Sequence, residues 1–212
     1  AVVAGNVSLK NTYIDNGKEE SIDPSMIPVV FGYIQDYGNT VTTGLKKQGS
    51  SILLAGKRKQ EFKGSEYAAL HKQTGKKAPS ITPTEAGNLE YAVLEASGKG
   101  IVLSSAVIEN GGLAVALTRM MAMAKQEIGI QLDMAFAGRM RVDYALFTES
   151  PGYVIEVETS RVKEVQKIYK IYGISLQCIG QTTKEKIFSG KMKEKTVFEI
   201  PLKELKKRWN RQ

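Results

Sequence analysis

Ile101-Val-Leu-Ser-Ser-Ala-Val-Ile108, then Glu109-Asn-Gly-Gly112, then Leu113-Ala-Val-Ala-Leu-Thr-Arg-Met-Met-Ala-Met-Ala-Lys125 is the stretch that decides the fold. Its first part is a nearly unbroken run of apolar and small residues, which predicts a central strand buried on both faces. The second part is a turn. The third is apolar around most of its girth and predicts a core helix, with Thr118 and Arg119 as the exceptions. Leucine and methionine at these positions are core filler first. The Gly-Gly join also sets a helix N-terminus beside a glycine turn, a generic anion site, although packing is enough to account for both glycines.

Outward from this unit, strands and helices alternate. Ser50–Gly56, Ile128–Leu132, Tyr153–Val157 and Ile174–Thr182 predict strands. Gly64–His71 predicts a helix capped by Ser65, and Thr84–Ser97 a second with Leu89, Val93 and Ala96 on one face. Ser160–Tyr172 predicts an amphipathic helix with Val162, Val165, Ile168, Tyr169 and Tyr172 inward, closed by Gly173. Lys186–Phe188 and Thr196–Ile200 predict a hairpin around Ser189-Gly190, and Pro201–Trp209 a last helix. The class is α+β, a mixed α/β sheet with the Leu113 helix on one face. Before it lie a strand from Val2 to Leu9, a polar excursion or hairpin turning at Asn16-Gly17, and an apolar strand from Ile27 to Ile34.

The chain has 212 residues, 42% hydrophobic and 25% charged, with one cysteine and one histidine. No disulfide can form within it, and one His with one Cys cannot build a structural zinc site. No run reaches the length of a membrane helix, and Ala1-Val-Val-Ala4 is not a signal peptide. A cytoplasmic location is expected. The net charge is +8; residues 184–212 hold ten Lys and Arg against four Asp and Glu, so +6 of it lies there. That tail reads as a solvated or partner-docking face. It lacks the aromatics that single-strand nucleic-acid binders interleave, so a nucleic-acid partner is not expected.

No Ser-His-Asp set and no phosphate-binding Gly-x-x-x-x-Gly-Lys-Ser/Thr loop is present. Cys178 reads as a small buried residue within a strand. Glu66, Glu109, Glu149 and Asp36 sit at turns or helix starts, where helix dipoles alone favour carboxylates. The sharpest chemical signal is Gly5-Asn6-Val7-Ser8. Glycine lets a phosphate approach the backbone, Asn6 offers an oxygen that Mg²⁺ accepts, and Ser8 offers a hydroxyl on the same side of a strand. The same residues also fit an ordinary strand end with a polar turn.

Six segments, in order, resemble phosphoribosylformylglycinamidine synthase: Val3–Asn11, Ile27–Gly32 with Ile34–Asp36, Gly64-Ser-Glu-Tyr67, Gly111–Leu117, Leu146–Ser150 and Ile179-Gly180. The resemblance is to the C-terminal portion of the PurL-type enzyme, in the superfamily of aminoimidazole ribonucleotide synthetase. It implies a PurM-like C-terminal α/β domain over residues 45–212, preceded over 1–44 by the end of a ferredoxin-like N-terminal-type domain. It implies ATP-dependent, ammonia-consuming conversion of the FGAR amide to an amidine. ATP contact falls on Gly5, Mg²⁺ on Asn6 and substrate on Ser8. The implied partners are the rest of the synthetase, a PurQ-type glutaminase and a PurS-type small subunit.

The chain departs from the family pattern at Ala106, Val107 and Asn110, so the Glu109–Gly112 turn is expected to be structural. The family's catalytic histidine lies in the first half of the enzyme, so no catalytic residue is expected here and these residues alone are expected to be inactive. A non-catalytic scaffold or regulatory domain of the complex, or another ATP-dependent enzyme of the superfamily, are the alternatives.

Overall fold

The computed structural model describes residue 5 and residues 11–22, 27–34 and 37–209. The chain divides into two compact units, Ala1–Gln35 and Asp36–Gln212.

The first unit contains β1 (Thr12–Asp15) and β2 (Lys18–Ser21), paired antiparallel. Asn16 and Gly17 turn between them with φ of 50° and 79°, the twin left-handed conformation of a tight hairpin. The predicted strand from Val2 to Leu9 lies outside the described residues apart from Gly5. The apolar run 27–34 forms no strand. Ile27, Val30, Phe31 and Tyr33 are 85–89% exposed. A strand needs a ladder partner, and the described residues of this unit offer it none.

The second unit is one seven-stranded sheet with helices on both faces. In chain order its elements are β3 (Ser51–Ala55), α1 (Glu66–Leu70), α2 (Pro83–Gly98), β4 (Val102–Val107), α3 (Gly112–Ala122), β5 (Gly129–Asp133), α4 (Val142–Phe147) and β6 (Tyr153–Val157). There follow α5 (Val162–Ile171), β7 (Leu176–Thr183), β8 (Ile187–Met192), β9 (Lys195–Pro201) and α6 (Leu202–Trp209). The strand order is β4-β6-β3-β7-β5-β8-β9, and only β5 and β8 run parallel.

Period-two alternation along the strands sorts the core into two. Ile52, Leu54, Ala106, Val154, Ile130, Leu132, Ile179 and Phe188 pack with α3, α4 and α6, where Leu113, Leu117, Met120 and Met121 are fully buried. Leu53, Ala55, Val102, Ile155 and Val157 pack on the other face with Leu89, Ala92 and Ala96 of α2 and Val165, Ile168 and Tyr169 of α5. Ser65 caps α1 as predicted, accepting from the Ala68 N–H; Thr82 caps α2, with Pro83 at the first helical position.

Three expectations are corrected. The 101–108 run forms an edge strand, not a central one. Its residues alternate buried and half-buried, and beyond it lies only an isolated bridge from Thr42 to Ser104. A run of small residues hides the alternation that marks one-sided burial. Ser189-Gly190 does not turn: β8 continues to Met192 and the chain reverses at Lys193-Glu194, Lys193 taking a φ of 54°. Gly190 is a glycine because a Cβ there would come within 2.3 Å of the Phe198 ring. Cys178 is exposed, although its neighbour Ile179 is fully buried. It pairs with Leu53 across the sheet, on the face packed by α2 and α5, whose cover on β7 reaches Leu176 and not Cys178. It opens on a groove of about 460 Å³ lined by Gln131, Gln181 and Lys191 among others.

Glu156 ties the entry of the sheet together. Its side chain is fully buried on β6. Oε2 accepts from the Lys46 N–H at 2.9 Å and the Ser104 hydroxyl at 2.7 Å; Oε1 accepts from the Lys47 N–H at 2.9 Å and the Ser50 hydroxyl at 2.7 Å. A buried carboxylate so fully supplied with donors fixes the 46–50 segment against β6 and β4.

Candidate functional site

Of the three residues read as site residues from the sequence, Gly5 is exposed, with open space where a Cβ would stand. That openness is what close backbone approach by a ligand requires. Asn6 and Ser8 lie outside the described residues.

The second unit brings three of the quoted segments to one atom. Glu149, half-buried between α4 and β6, accepts at Oε1 from the Glu66 N–H at 2.9 Å and from the Gly111 N–H at 2.8 Å. Glu66 opens α1, and Gly111 is the N-cap of α3. Two helix starts distant in sequence thus direct N–H groups and positive dipole ends at one carboxylate. The segment around Glu149 is pinned from below: the Thr148 hydroxyl donates to the Lys59 carbonyl at 2.6 Å, and the Lys59 N–H donates to Ser150 Oγ at 3.1 Å.

Beside this junction, exposed Glu109 pairs with Arg119 at 3.0 Å, and Arg119 also donates to the Val107 carbonyl. The 109–112 turn is therefore held by Arg119 of α3 and, at the Gly111 N–H, by Glu149. Among the described residues no group of three or more His, Cys, Asp or Glu is arranged to hold a metal ion. What the junction does is orient: it locks the Gly64–Tyr67 and Gly111–Leu117 segments relative to each other.

Sequence reading missed two features. The first is Arg58, whose Nε and Nη1 are buried with no hydrogen-bond partner, while Nη2 donates to the Pro151 carbonyl at 3.2 Å. Burial pulls its pKa down to about 10, so near neutral pH it is a cation in a poorly solvating setting. Arg58→Met is expected to raise unfolding free energy at pH 7 by about 1–3 kcal/mol, because it removes an unpaired buried charge and keeps the length of the chain. A base whose folded pKa is lowered is penalised in full below that value. The penalty fades as pH climbs from about 10 towards the ordinary arginine value. Urea midpoints of the two proteins should therefore converge at alkaline pH; a variant less stable than the parent at pH 7 would contradict this account.

The second is an aromatic cluster. Phe62, Tyr67, Tyr144 and Phe147 gather with ring centroids 4.8–5.9 Å apart, and the exposed His71 ring lies 4.4 Å from Tyr67. Tyr67 donates to Asp143 Oδ2 at 2.5 Å; Arg141 grips the same carboxylate through Nε at 3.1 Å and Nη2 at 2.7 Å. The hydrogen bond to Asp143, with burial, pushes the Tyr67 hydroxyl up to about 12. Burial alone would raise Asp143, but Tyr67 and Arg141 outweigh it and hold the carboxyl below its usual range. Single-sequence reading finds each aromatic but not their convergence, since residues 62–71 and 141–147 are far apart in the chain and touch only in the folded unit.

The second unit is thus a mixed sheet with α3, α4 and α6 on one face and α2 and α5 on the other, and with the starts of α1 and α3 gathered on Glu149, an architecture that fits an AIR synthase-type C-terminal domain. The family model described as AIR synthase related protein, C-terminal domain, matches residues 47–193, and the chain belongs to that family. In sequence it is similar to phosphoribosylformylglycinamidine synthase subunit PurL of Thermoanaerobacter pseudethanolicus, 33% identical over 98% of this chain and 27% of that protein. PurL of Methanothrix thermoacetophila is 31% identical over 86% of the chain and 23% of its own length. The chain thus spans about a quarter of these relatives. Thermotoga maritima PurL complexed with FGAR shares the fold, with a TM-score of 0.70 at 18% identity over 80% of this chain and 30% of that one. No helix among the described residues is long and apolar enough to cross a membrane.

Proposed function

We propose that the chain is the C-terminal portion of a phosphoribosylformylglycinamidine synthase, an ATP-dependent C–N ligase of purine biosynthesis. One observation carries this reading: 33% identity to PurL over 98% of the chain, spanning both compact units. Residues 1–44 then close an N-terminal-type domain whose other strands come from the rest of the synthetase, and 45–212 form the C-terminal-type domain. The exposed apolar run 27–34 supports this, since such a run is what an inner strand looks like without its neighbours.

In this reading Gly5 admits the ATP phosphates to the backbone, Asn6 supplies one oxygen to Mg²⁺ and Ser8 touches FGAR. Mg²⁺ held there would offset charge on the ATP phosphates; the amide oxygen, once phosphorylated, leaves as phosphate when ammonia displaces it. The donor set fits only in part: this loop offers one hard oxygen, and the remaining ligands belong to the rest of the enzyme. Solved PurL structures with ATP and with FGAR, and the PurLQS structure from T. maritima, support the ligands and the PurQ- and PurS-type partners. A cytoplasmic location goes with that assembly.

In the assembled synthetase, Asn6→Ala is expected to weaken Mg-ATP binding about tenfold or more by calorimetry, with little change for ATP in the absence of the metal. Equal affinity in the two proteins would remove Asn6 from the site. The 212 residues alone are expected to show no ATP-dependent turnover with ammonia.

A further inference from the structure

Four segments enclose a cavity of about 310 Å³ in the second unit, lined by Gln60, Phe62, Tyr67, Gln73, Lys76 and Tyr144 among others. The chain is bent to make it. α1 ends in a return turn in which the Gln73 N–H donates to the Ala68 carbonyl, with Lys72 at a φ of 53°. That turn brings residues 73–76 back opposite residues 60–63, where the Lys63 N–H donates to the Lys77 carbonyl at 2.9 Å.

Buried Glu61 locks the return. It pairs with Lys77 at 3.1 Å and accepts from the Ser80 N–H and hydroxyl. Its own burial would raise its pKa, yet these donors hold it below the usual carboxylate range. The aromatic walls are clamped as well. The Tyr67–Asp143–Arg141 chain fixes one ring, and the Arg141 guanidinium lies 4.5 Å over the Tyr144 ring centroid.

Among the described residues, one cation lines the cavity. Of its neighbours, Lys59 donates to the Ser80 carbonyl and Lys77 already answers Glu61. Lys76 lines the cavity and has no ion-pair partner among the described residues. Phe62 and Tyr144 pack on each other at 4.8 Å, and the aromatic surface they leave to the cavity accepts the edge or face of a flat ring; carboxamides such as Gln60 and Gln73 carry both donors and acceptors for its edge, and the Lys76 ammonium accepts an anion.

We infer that this cavity binds a mononucleotide, its base against Phe62 and Tyr144 and its single phosphate on Lys76. A lone unpaired lysine in the lining favours one phosphate over a longer polyphosphate. The site is separate in sequence from the Gly5–Ser8 loop and goes beyond the function proposed above.

AMP is the probe, titrated calorimetrically into the full chain, with adenosine and inorganic phosphate as separate arms. The expected result is AMP binding at least tenfold tighter than either arm, and at least tenfold weaker in Lys76→Glu and in Tyr144→Leu. Lys76 is exposed, so its variant keeps the fold and the test stands if Tyr144→Leu does not. No AMP binding, equal binding by adenosine, or equal binding by Lys76→Glu would each overturn the inference.

Discussion

Glu156→Ala is expected to lower unfolding free energy by about 3–5 kcal/mol, enough to unfold a marginal domain at moderate urea. The loss is not that of one contact. The carboxylate answers two backbone N–H groups and two hydroxyls in a fully buried setting, and alanine removes the acceptor that all four share. Part of the loss is moderated because the Ser50 hydroxyl lies within hydrogen-bond distance of the Lys47 carbonyl and of Thr182. Glu156→Gln separates shape from chemistry. Its amide NH₂ must face either the Lys46 or the Lys47 N–H, and a backbone donor cannot rotate away. A cost of about 1–3 kcal/mol is expected for that one clash of donors. Equilibrium urea unfolding of both variants measures the two numbers. A glutamine variant as stable as the parent would show that the four-donor description is wrong.

Gly112→Ala is expected to be among the most damaging single methyls in the second unit. Gly112 has a φ of 71°, which charges any L side chain about 1–2 kcal/mol. The methyl would also stand 2.6 Å from the Thr148 carbonyl oxygen and 2.8 Å from that of Leu146. Those are backbone atoms at the end of α4, beside the Glu149 junction, so relief requires moving the helix. A total loss above about 3 kcal/mol, or failure to accumulate folded protein, is expected. Gly111→Ala is the control. Its φ of 80° carries the same backbone penalty, but its methyl meets the Val115 side chain, whose rotamer can change. It should therefore cost clearly less. Thermal unfolding of the pair checks the order; reversal would place the constraint in the turn itself and not in its packing on α4.

The Gly-Gly pair shows how much was legible. Its residues announced a strand, a turn and a core helix, and the helix is where the pattern put it. What the pattern could not contain was the surface behind Gly112, contributed from residues 146–148. Periodicity likewise located α2, α5 and most strands, because their buried faces recur at regular spacing. It failed where local composition was silent about neighbours. Small residues at 102–107 concealed an edge strand, and an apolar neighbour at 179 concealed an outward Cys178. Ser189-Gly190 looks like a turn until Phe198 is seen across the ladder. Of the candidate site, the individual carboxylates were legible. That Glu149 gathers two helix starts, and that Phe62 meets Tyr144, required the tertiary fold.

The placement of β3 has a kinetic consequence. It is the first strand of the sheet to be made, yet it lies between β6 and β7, and the Glu156 link to Ser50 spans 106 positions. Nothing earlier in the unit can complete its ladder, so loop closure over a long span must precede most of the stabilising burial. On the ribosome, an emerging chain would hold this strand unsatisfied until residues past 180 have appeared. Slow, late collapse and exposure to chaperones follow from the order in which the sheet is threaded.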